Sequence, residues 1–300
     1  MAAGAGKRGV YLIDASIYIF RAWYSVPDAL FNRAGMPINA LHGFAGFLGS
    51  FLEQVEPEHV AVVFDERLTR SFRNRIYPGY KANREKPPEA LQQQFAFCRE
   101  LVGHLGLAQF ASDIYEADDL IGTLAARLRR PDVPIVILSA DKDLAQLLEP
   151  GDLFWDFARN RRYACADVPA WLGVEAGQVA DWLALTGDSV DNIPGIPGIG
   201  ARTAAVLLKH FGTLEELYRR VETVAGLPLR GAARIQRLLQ AHRDTAMLAR
   251  QLTGIAIDPD RAVSLNDLGR RRVAANDICA ACEQLGLGRM TQARLARLSG

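Results

Sequence analysis

The stretch VYLIDAS at residues 10–16 is a short, continuous apolar run that leads into an aspartate. The pattern recurs in HVAVVFDE at 59–66 and in VPIVILSADKD at 133–143. Continuous runs rich in β-branched residues are typical of strands buried on both faces of a parallel sheet. Two further strands are predicted at LAQFAS, 107–112, and LFWDF, 153–157.

Helix-like stretches at about 38–55, 88–105 and 116–130 separate these runs, and such alternation predicts an α/β domain with a central parallel-type sheet and flanking helices. Strand-like runs nearly vanish after about residue 165. The helices predicted there are 168–173, 176–186, 200–210, 213–220 and 231–251. We therefore predict an α/β core over 1–165 and a helical region over 166–300.

The composition is that of an ordinary globular protein, with 49% hydrophobic and 23% charged residues among 300. Four cysteines, two of them in the lone CxxC of Cys279 and Cys282, do not make a disulfide framework. The chain start has no apolar leader, and the uncharged segment 34–52 is rich in glycine and polar residues. These features predict a cytoplasmic protein without a membrane span.

Carboxylates recur where the predicted strands end and where helices begin. Ligands of parallel α/β sheets bind beyond the carboxyl ends of the strands, and Asp14, Asp65 and Asp141 each follow such an end. Further acids lie in EADD (116–119), DKD (141–143) and DSVD (188–191). The full candidate set is Asp14, Asp65, Glu116, Asp118, Asp119, Asp141, Asp143, Asp188 and Asp191.

Helix capping is the simpler explanation for any one of these clusters, because Asp and Glu favour helix N-termini. Capping needs one acid per helix, however, and here there are two or three. A multi-carboxylate metal site accounts better for the whole set, and all-oxygen ligation favours Mg²⁺ or Mn²⁺ over Zn²⁺. Two such metals, about 4 Å apart, serve phosphodiester cleavage, so the pattern indicates a nuclease or a phosphatase.

The formal charge is +1, from 35 Lys and Arg against 34 Asp and Glu. If the nine candidate acids form a metal site, 25 acids remain against 35 basic residues. The rest of the chain then has the positive charge of a nucleic-acid-binding protein.

The segment RLTRSFRNRIYPGYKANR at 67–84 holds six basic residues, no acid and three interleaved aromatic rings. Basic side chains contact phosphates and rings stack on bases. On a helix, Lys81 and Arg84 would share one face. The alternative is a solvated surface helix.

The stretch NIPGIPGIGARTAAVLL at 192–208 has the glycine and proline spacing of a helix–hairpin–helix turn. Gly198 and Gly200 would let backbone N–H groups approach a phosphate at the start of the helix that carries Thr203. Such a turn grips duplex backbone without reading bases. A plain turn between helices is the alternative.

Together these motifs resemble the 5′→3′ exonuclease domain of bacterial DNA polymerase I and the structure-specific flap endonucleases. The resemblance extends from about Val10 to Asp260. It rests on six stretches in the family's order: LIDAS, VVFDE, YKANR, EADDLIGTLA, SADKDLAQL and GDSVDNIPGIPGIGARTA.

The resemblance implies a PIN-like nuclease core, a helical arch over about 67–95 and a helix–three-turn–helix duplex clamp over about 186–212. It assigns one metal to Asp14, Asp65, Glu116, Asp118 and Asp119, and a second to Asp141, Asp143, Asp188 and Asp191. It places Lys81 and Arg84 at the scissile phosphate. The DNA contacts that we predict are Arg73, Tyr80, Lys81, Arg84, Gly195, Gly198, Gly200 and Thr203.

We therefore expect a Mg²⁺- or Mn²⁺-dependent 5′ nuclease that uses two ions, with K⁺ as a further ion at the clamp. Its expected partner is DNA with a 5′ flap, a 5′ overhang or a nick, bound by a monomer without an organic cofactor. Two alternatives are a PIN-like ribonuclease and a non-catalytic module that binds branched DNA.

Overall fold

The strand β1 (Val10–Asp14) lies near the middle of a six-stranded sheet with the order β3-β2-β1-β4-β5-β6. The computed structural model describes residues 6–65 and 71–298. The other strands are β2 (His59–Val63), β3 (Ala108–Phe110), β4 (Ile135–Leu138), β5 (Leu153–Asp156) and β6 (Arg161–Ala164). All neighbours pair in parallel except β5 and β6, which pair antiparallel.

The register of the central strands brings the predicted acids to one edge. Asp14 is paired with Val63, two residues before Asp65, and Ile13 is paired with Leu138, three residues before Asp141. The carboxyl ends of the three strands therefore lie side by side, as parallel pairing requires.

Helices cover both faces of the sheet, and each face carries its own apolar cluster. In the α/β part they are α1 (Ala15–Ser25), α2 (Asn39–Val55), α3 (Arg73–Ile76), α4 (Glu89–His104) and α5 (Ala117–Leu128). The later ones are α6 (Val168–Leu172), α7 (Val179–Thr186), α8 (Ala201–Phe211), α9 (Leu214–Arg219), α10 (Ala232–Ala241), α11 (Arg243–Thr253), α12 (Ala275–Gln284) and α13 (Arg289–Ala296).

The predicted α/β fold with a helical C-terminal region is confirmed, with differences in detail. The hairpin strand β6 was not predicted, and the single helix expected over 231–251 is two helices separated at His242. Between residues 71 and 88 the helical structure is limited to the single turn of α3, so Lys81 and Arg84 lie in turns rather than on a helix. Residues 67–70 of the predicted arch lie outside the described residues.

The last two helices return to the α/β part. Ile278 of α12 and Leu295 of α13 are buried in the apolar cluster that also contains Leu48 of α2 and Leu101 of α4. Burial of such side chains is worth about 1.5–3 kcal/mol each, so this packing stabilises the α/β part. In the described part of the chain, no helix is long and apolar enough to cross a membrane.

Candidate active site

A cavity of about 700 Å³ opens at the carboxyl edge of the sheet. Six of the nine predicted acids line it: Asp14, Asp65, Glu116, Asp118, Asp141 and Asp191. Lys81 and Arg84 line it too. A smaller cavity of about 430 Å³ adjoins it and contains Asp143 and Asp188, with Asp141 and Asp191 shared between the two.

We call Asp14, Asp65, Glu116 and Asp118 the first acid group. Asp14 is the N-cap of α1, where it accepts a hydrogen bond from the Ile17 N–H, and it accepts another from the Ser139 hydroxyl at 2.8 Å. Asp65 accepts from the Ser16 hydroxyl and the Ala117 N–H, both at 2.8 Å. These donors come from three different elements, so they fix the two carboxylates in place.

Basic and phenolic groups surround Glu116. Its carboxylate accepts hydrogen bonds from Arg73 at 2.7 Å and from the Tyr80 hydroxyl at 2.9 Å, and it is paired with Lys81. Burial alone would raise the pKa of Glu116, but Lys81 and Arg73 hold it below its usual value. Glu116 is therefore ionised at neutral pH.

We call Asp141, Asp143, Asp188 and Asp191 the second acid group. Asp141 caps the 3₁₀ helix Lys142–Leu147, accepting from the Asp143 N–H at 2.9 Å. Asp143 Oδ1 is buried and has no hydrogen-bond partner among the described residues. Asp188 accepts from the Val190 N–H at 2.8 Å, and Asp191 is paired with Arg84.

Crowding of carboxylates in a buried place changes their protonation. Burial, followed by repulsion from Asp65, raises the pKa of Asp14 to about 7. Burial and repulsion from Asp141 and Asp188 raise the pKa of Asp143 to about 8. The pKa values of Asp118 and Asp141 are raised as well, first by burial. The site thus carries more negative charge than its protein donors compensate.

The donor set fits hard divalent cations, because carboxylate oxygens are the ligands that Mg²⁺ and Mn²⁺ prefer. The unpartnered Asp143 Oδ1 and the mutual repulsion of the acids also fit a bound cation. Within the described residues, no group of three or more His, Cys, Asp or Glu side chains is already arranged to hold an ion.

Asp119 does not line either cavity, in contrast to its predicted place among the metal ligands. It is fully buried and accepts two hydrogen bonds from Arg73, both 2.7 Å long. It also accepts from the N–H groups of Glu116 and Ala256. Since both oxygens are taken by these donors, Asp119 holds the start of α5 in place.

Arg73 and Tyr80, both predicted to contact DNA, are buried. Arg73 is 3% exposed and donates to Asp119, Glu116 and the carbonyl oxygens of Leu252 and Gly254. Tyr80 is 4% exposed and its hydroxyl faces Glu116 and Asp191. In this structure their side chains contact the acids, and their contact with DNA stays a prediction.

Lys81 and Arg84 reach the acids from a turn. Lys81 has a positive φ of 54°, and its N–H donates to the Asp191 carbonyl at 2.9 Å. Its ammonium group is paired with Glu116 and lies 3.6 Å from Asp191. The Asn192 amide donates to the Gly79 carbonyl at 2.6 Å and ties this turn to the loop that follows α7. Lys81, which contacts both Glu116 and Asp191, therefore connects the first acid group to Asp191.

The glycine-rich turn precedes α8, as predicted. Gly198, with φ +85°, and Gly200, the N-cap of α8, are exposed, while Thr203 is half-buried in the first turn. At Gly195, which is also a predicted DNA contact, a Cβ would lie 2.2 Å from the Thr186 carbonyl oxygen. The absent side chain at 195 therefore permits close packing against the chain's own backbone.

Several site residues were not predicted. Ser16 and Ser139 donate to acids, yet each is a single hydroxyl in an apolar run, which gives no recognisable signal. Asp156 lines the smaller cavity. The signal for Asp156 is its position at the end of the predicted strand LFWDF, which matches that of Asp14 at the end of β1.

Two family models match this chain along most of its length. Residues 9–170 match the 5′-3′ exonuclease N-terminal resolvase-like domain, and residues 174–276 match the 5′-3′ exonuclease C-terminal SAM fold. The chain belongs to the 5′-3′ exonuclease family. The resemblance predicted from the motifs is confirmed, and the chain is a nuclease of this family.

Its curated relatives include DNA polymerase I of Rhizobium leguminosarum, 36% identical over 271 residues, which are 87% of this chain and 26% of that protein. DNA polymerase I of Pseudomonas aeruginosa is 38% identical over 258 residues, 86% of this chain and 28% of that protein. The chain thus spans about a quarter to a third of the length of the curated relatives that it matches.

Solved structures share the fold. The T5 D15 protein co-crystallised with metal ions has a TM-score of 0.67 at 20% identity, with 97% of each chain covered. Human GEN1 in complex with Holliday junction DNA has a TM-score of 0.64 at 12% identity, with 97% of this chain and 71% of that chain covered. At these identities the likeness concerns the fold.

Proposed function

We propose that this nuclease hydrolyses phosphodiester bonds of 5′-ended or branched DNA with two Mg²⁺ or Mn²⁺ ions. The observation that carries the proposal is the cavity at the sheet edge, which six of the nine predicted acids line together with Lys81 and Arg84. The structures of the T5 D15 protein with metal ions and of GEN1 with DNA, which share this fold, support it.

The first acid group would hold one ion, and Asp141 and Asp191, which line both cavities, would act together with Asp143 and Asp188 at the second. In the proposal Asp119 orients Glu116 through Arg73 and does not bind an ion directly. Bound there, the ions would supply activation of a water and stabilisation of the leaving oxygen.

Lys81 and Arg84 would neutralise negative charge on the phosphate during the reaction. Both are paired with carboxylates in this structure, Lys81 with Glu116 and Arg84 with Asp191. Once cations balance those carboxylates, the two basic side chains are released to turn toward a phosphate. A single lost electrostatic contact of this kind costs about 10²–10³ in rate.

The duplex would rest on the turn before α8, with the exposed Gly198 and Gly200 presenting backbone N–H groups. Exposed Arg202 and Arg234 flank that turn and add positive charge, and a Cβ at Gly198 would lie 3.3 Å from Arg234. We further propose that carbonyl oxygens near 192–200 bind K⁺. The 5′ strand would pass beneath the 67–95 segment, with the protein acting as a monomer on flaps, overhangs and nicks.

The test uses a duplex with a 5′-labelled flap at low salt, in Mg²⁺ and in EDTA. We expect metal-dependent release of the label near the junction. Asp141→Asn should abolish release while binding persists. Asp260→Asn is the matched control, because Asp260 is an exposed acid outside both cavities and should leave release unchanged.

Three results would contradict the proposal. Tight binding without cleavage in Mg²⁺ and in Mn²⁺ would favour a non-catalytic DNA-binding module. Preferred cleavage of single-stranded RNA over the flap duplex would favour a PIN-like ribonuclease. Unchanged turnover in Asp141→Asn would place the chemistry elsewhere.

A further inference from the structure

The β5–β6 hairpin presents one face to the smaller cavity. Side chains alternate along a strand, and Phe154 and Asp156 of β5 line that cavity together with Arg161 and Tyr163 of β6. The intervening Trp155 and Arg162 line a separate cavity of about 210 Å³. The hairpin thus forms a wall opposite the second acid group.

This wall is built rigidly. The rings of Tyr163 and Trp171 are stacked, with centroids 4.1 Å apart and planes at 7°. Phe154 packs against Trp171 at 5.1 Å. Stacked aromatic pairs of this kind add about 0.5–1.5 kcal/mol beyond the area that they bury. This packing therefore fixes the backbone that carries the neighbouring cavity-lining side chains.

Two arginines on the wall face the cavity. Arg159 is held by Asp156, which it contacts at 3.0 Å, and more than half of its side chain stays exposed. Arg161 is exposed, and no carboxylate of the described residues forms an ion pair with it. With Lys142 and Arg84, they place four cations around a cavity that shares Asp141 and Asp191 with the larger one.

We propose that this face of the hairpin binds the DNA strand through a backbone phosphate next to the scissile one, with Arg161 as the principal contact. A strand whose scissile phosphate lies at Asp141 and Asp191 continues into the smaller cavity. Arginine is suited to phosphate because its fixed fork of donors matches the phosphate oxygens. Tyr163 and Trp171 give the adjoining sugar and base an apolar surface.

The charge arrangement explains why such a contact is needed. Asp143 and Asp188 repel a phosphate in the smaller cavity unless cations balance them. Arg161, on the opposite wall, offers an attraction to a phosphate, and no carboxylate of the described residues forms an ion pair with it, although Asp156 is its cross-strand neighbour. This inference rests on the proposed function, because it needs DNA to lie across the two acid groups.

The experiment compares Arg161→Ala with Arg162→Ala. The two residues are neighbours on one strand and both are exposed, but Arg162 lies over the Trp155 ring at 4.0 Å on the opposite face. Both variants are made in an Asp141→Asn background to prevent turnover. Binding of the labelled flap duplex is measured by fluorescence anisotropy in Mg²⁺ over a series of salt concentrations.

We expect Arg161→Ala to weaken binding by about tenfold and to reduce the slope of log K against log salt by about 0.9, the value for one lost phosphate contact on duplex DNA. Arg162→Ala should leave the slope unchanged. Arg161→Lys, which keeps the charge, should restore most of the slope.

Equal slopes for the Arg161 and Arg162 variants would overturn the hairpin contact. That result is separable from failure of the proposed function, which would appear as absence of metal-dependent cleavage by the wild-type chain or as full cleavage by Asp141→Asn alone. Unfolding curves that coincide for the two alanine variants would show that the slopes report binding and not folding.

Discussion

The two acid groups are built differently. In the first acid group, protein hydrogen bonds fix two carboxylates. Ser139 donates to Asp14, and the Ser16 hydroxyl and the Ala117 N–H donate to Asp65. In the second group Asp143 Oδ1 is buried without a partner in the described structure. Asp14 and Asp65 are therefore held in place by protein donors, whereas Asp143 depends on cations for its balance.

The difference shows why capping and metal binding are not competing explanations for these acids. Asp14 caps α1 and Asp141 caps a 3₁₀ helix, while both line the cavity. Capping uses Oδ1 of each carboxylate, and Oδ2 of Asp14 accepts from the Ser139 hydroxyl, yet both side chains line the cavity. Acids at helix starts can thus be fixed by the fold and still serve a site.

Arg73→Ala is the strongest way to disturb the first group. Removing this side chain leaves Asp119, which is fully buried, without its bidentate partner. Breaking a buried pair on one side costs about 3–5 kcal/mol, so we expect the free energy of unfolding to fall by that amount. Urea unfolding measures it. Arg75→Ala, in the same helical turn but exposed, is the control, and a loss of equal size there would refute the role of Arg73.

Neutralising one acid in each group should affect cleavage alike but stability differently. Asp65→Asn and Asp143→Asn should each lower cleavage by about 10²–10³. Their effects on stability in EDTA should have opposite signs. Asp65→Asn weakens the hydrogen bonds from Ser16 and Ala117, costing about 1–3 kcal/mol. Asp143→Asn removes a buried carboxyl whose pKa the fold raises to about 8, and with it the cost of keeping that carboxyl protonated, so the variant should be more stable.

Thermal unfolding of Asp65→Asn and Asp143→Asn in EDTA measures whether their effects on stability have opposite signs. Destabilisation by Asp143→Asn as large as that by Asp65→Asn would mean that the second group is held by the protein as firmly as the first.

The free energy of unfolding should depend on pH through one carboxyl of each acid group, Asp14 and Asp143. Burial and neighbouring acids raise the pKa of Asp14 to about 7 and that of Asp143 to about 8, above the ordinary aspartate value of about 3.9. The folded chain keeps protons there that the unfolded chain releases. In EDTA the free energy of unfolding should therefore fall as pH rises from about 4 to about 8, by at most about 1.4 kcal/mol per pH unit for each carboxyl.

Urea unfolding at several pH values checks this expectation. Mg²⁺ should flatten the decline, and Asp143→Asn should reduce it. A stability that is constant over this interval in EDTA would show that the acids are not under strain.

Gly198→Asp changes a region outside both acid groups and should have the smallest effect. The residue has a positive φ, so any side chain adds strain, and Asp adds a negative charge at the proposed phosphate contact. Compared with Gly198→Asn, which has the same shape, we expect duplex binding to weaken by about tenfold, or 1.4 kcal/mol. Equal affinities of the two variants would remove the turn from the DNA interface.

Much of the fold and of the cavity follows from short-range sequence features. Continuous apolar runs predict the parallel strands, and an acid after each strand must lie at the shared edge. The strand β6, with Arg161 and Arg162 in succession, has no apolar run and forms because β5 offers an edge. Its pairing is long-range information that local pattern does not contain.

The sequence does not predict the direction in which individual side chains point. Asp118 and Asp119 are adjacent in an acidic cluster, yet Asp118 faces the cavity and Asp119 faces Arg73. On a helix, neighbours point about 100° apart, so only one of them can face the sheet edge. Which one does so depends on the packing of Arg73 between α5 and the 252–254 carbonyl groups.

Counting the divalent ions bound per chain tests the central claim most directly. Mn²⁺ is titrated into the protein without DNA and followed by calorimetry, for the wild-type chain and for Asp141→Asn, whose altered side chain lies between the two cavities. We predict two ions per wild-type chain and weaker binding in the variant. Absence of saturable binding, or identical titrations of the two proteins, would contradict a metal-dependent active site at this edge of the sheet.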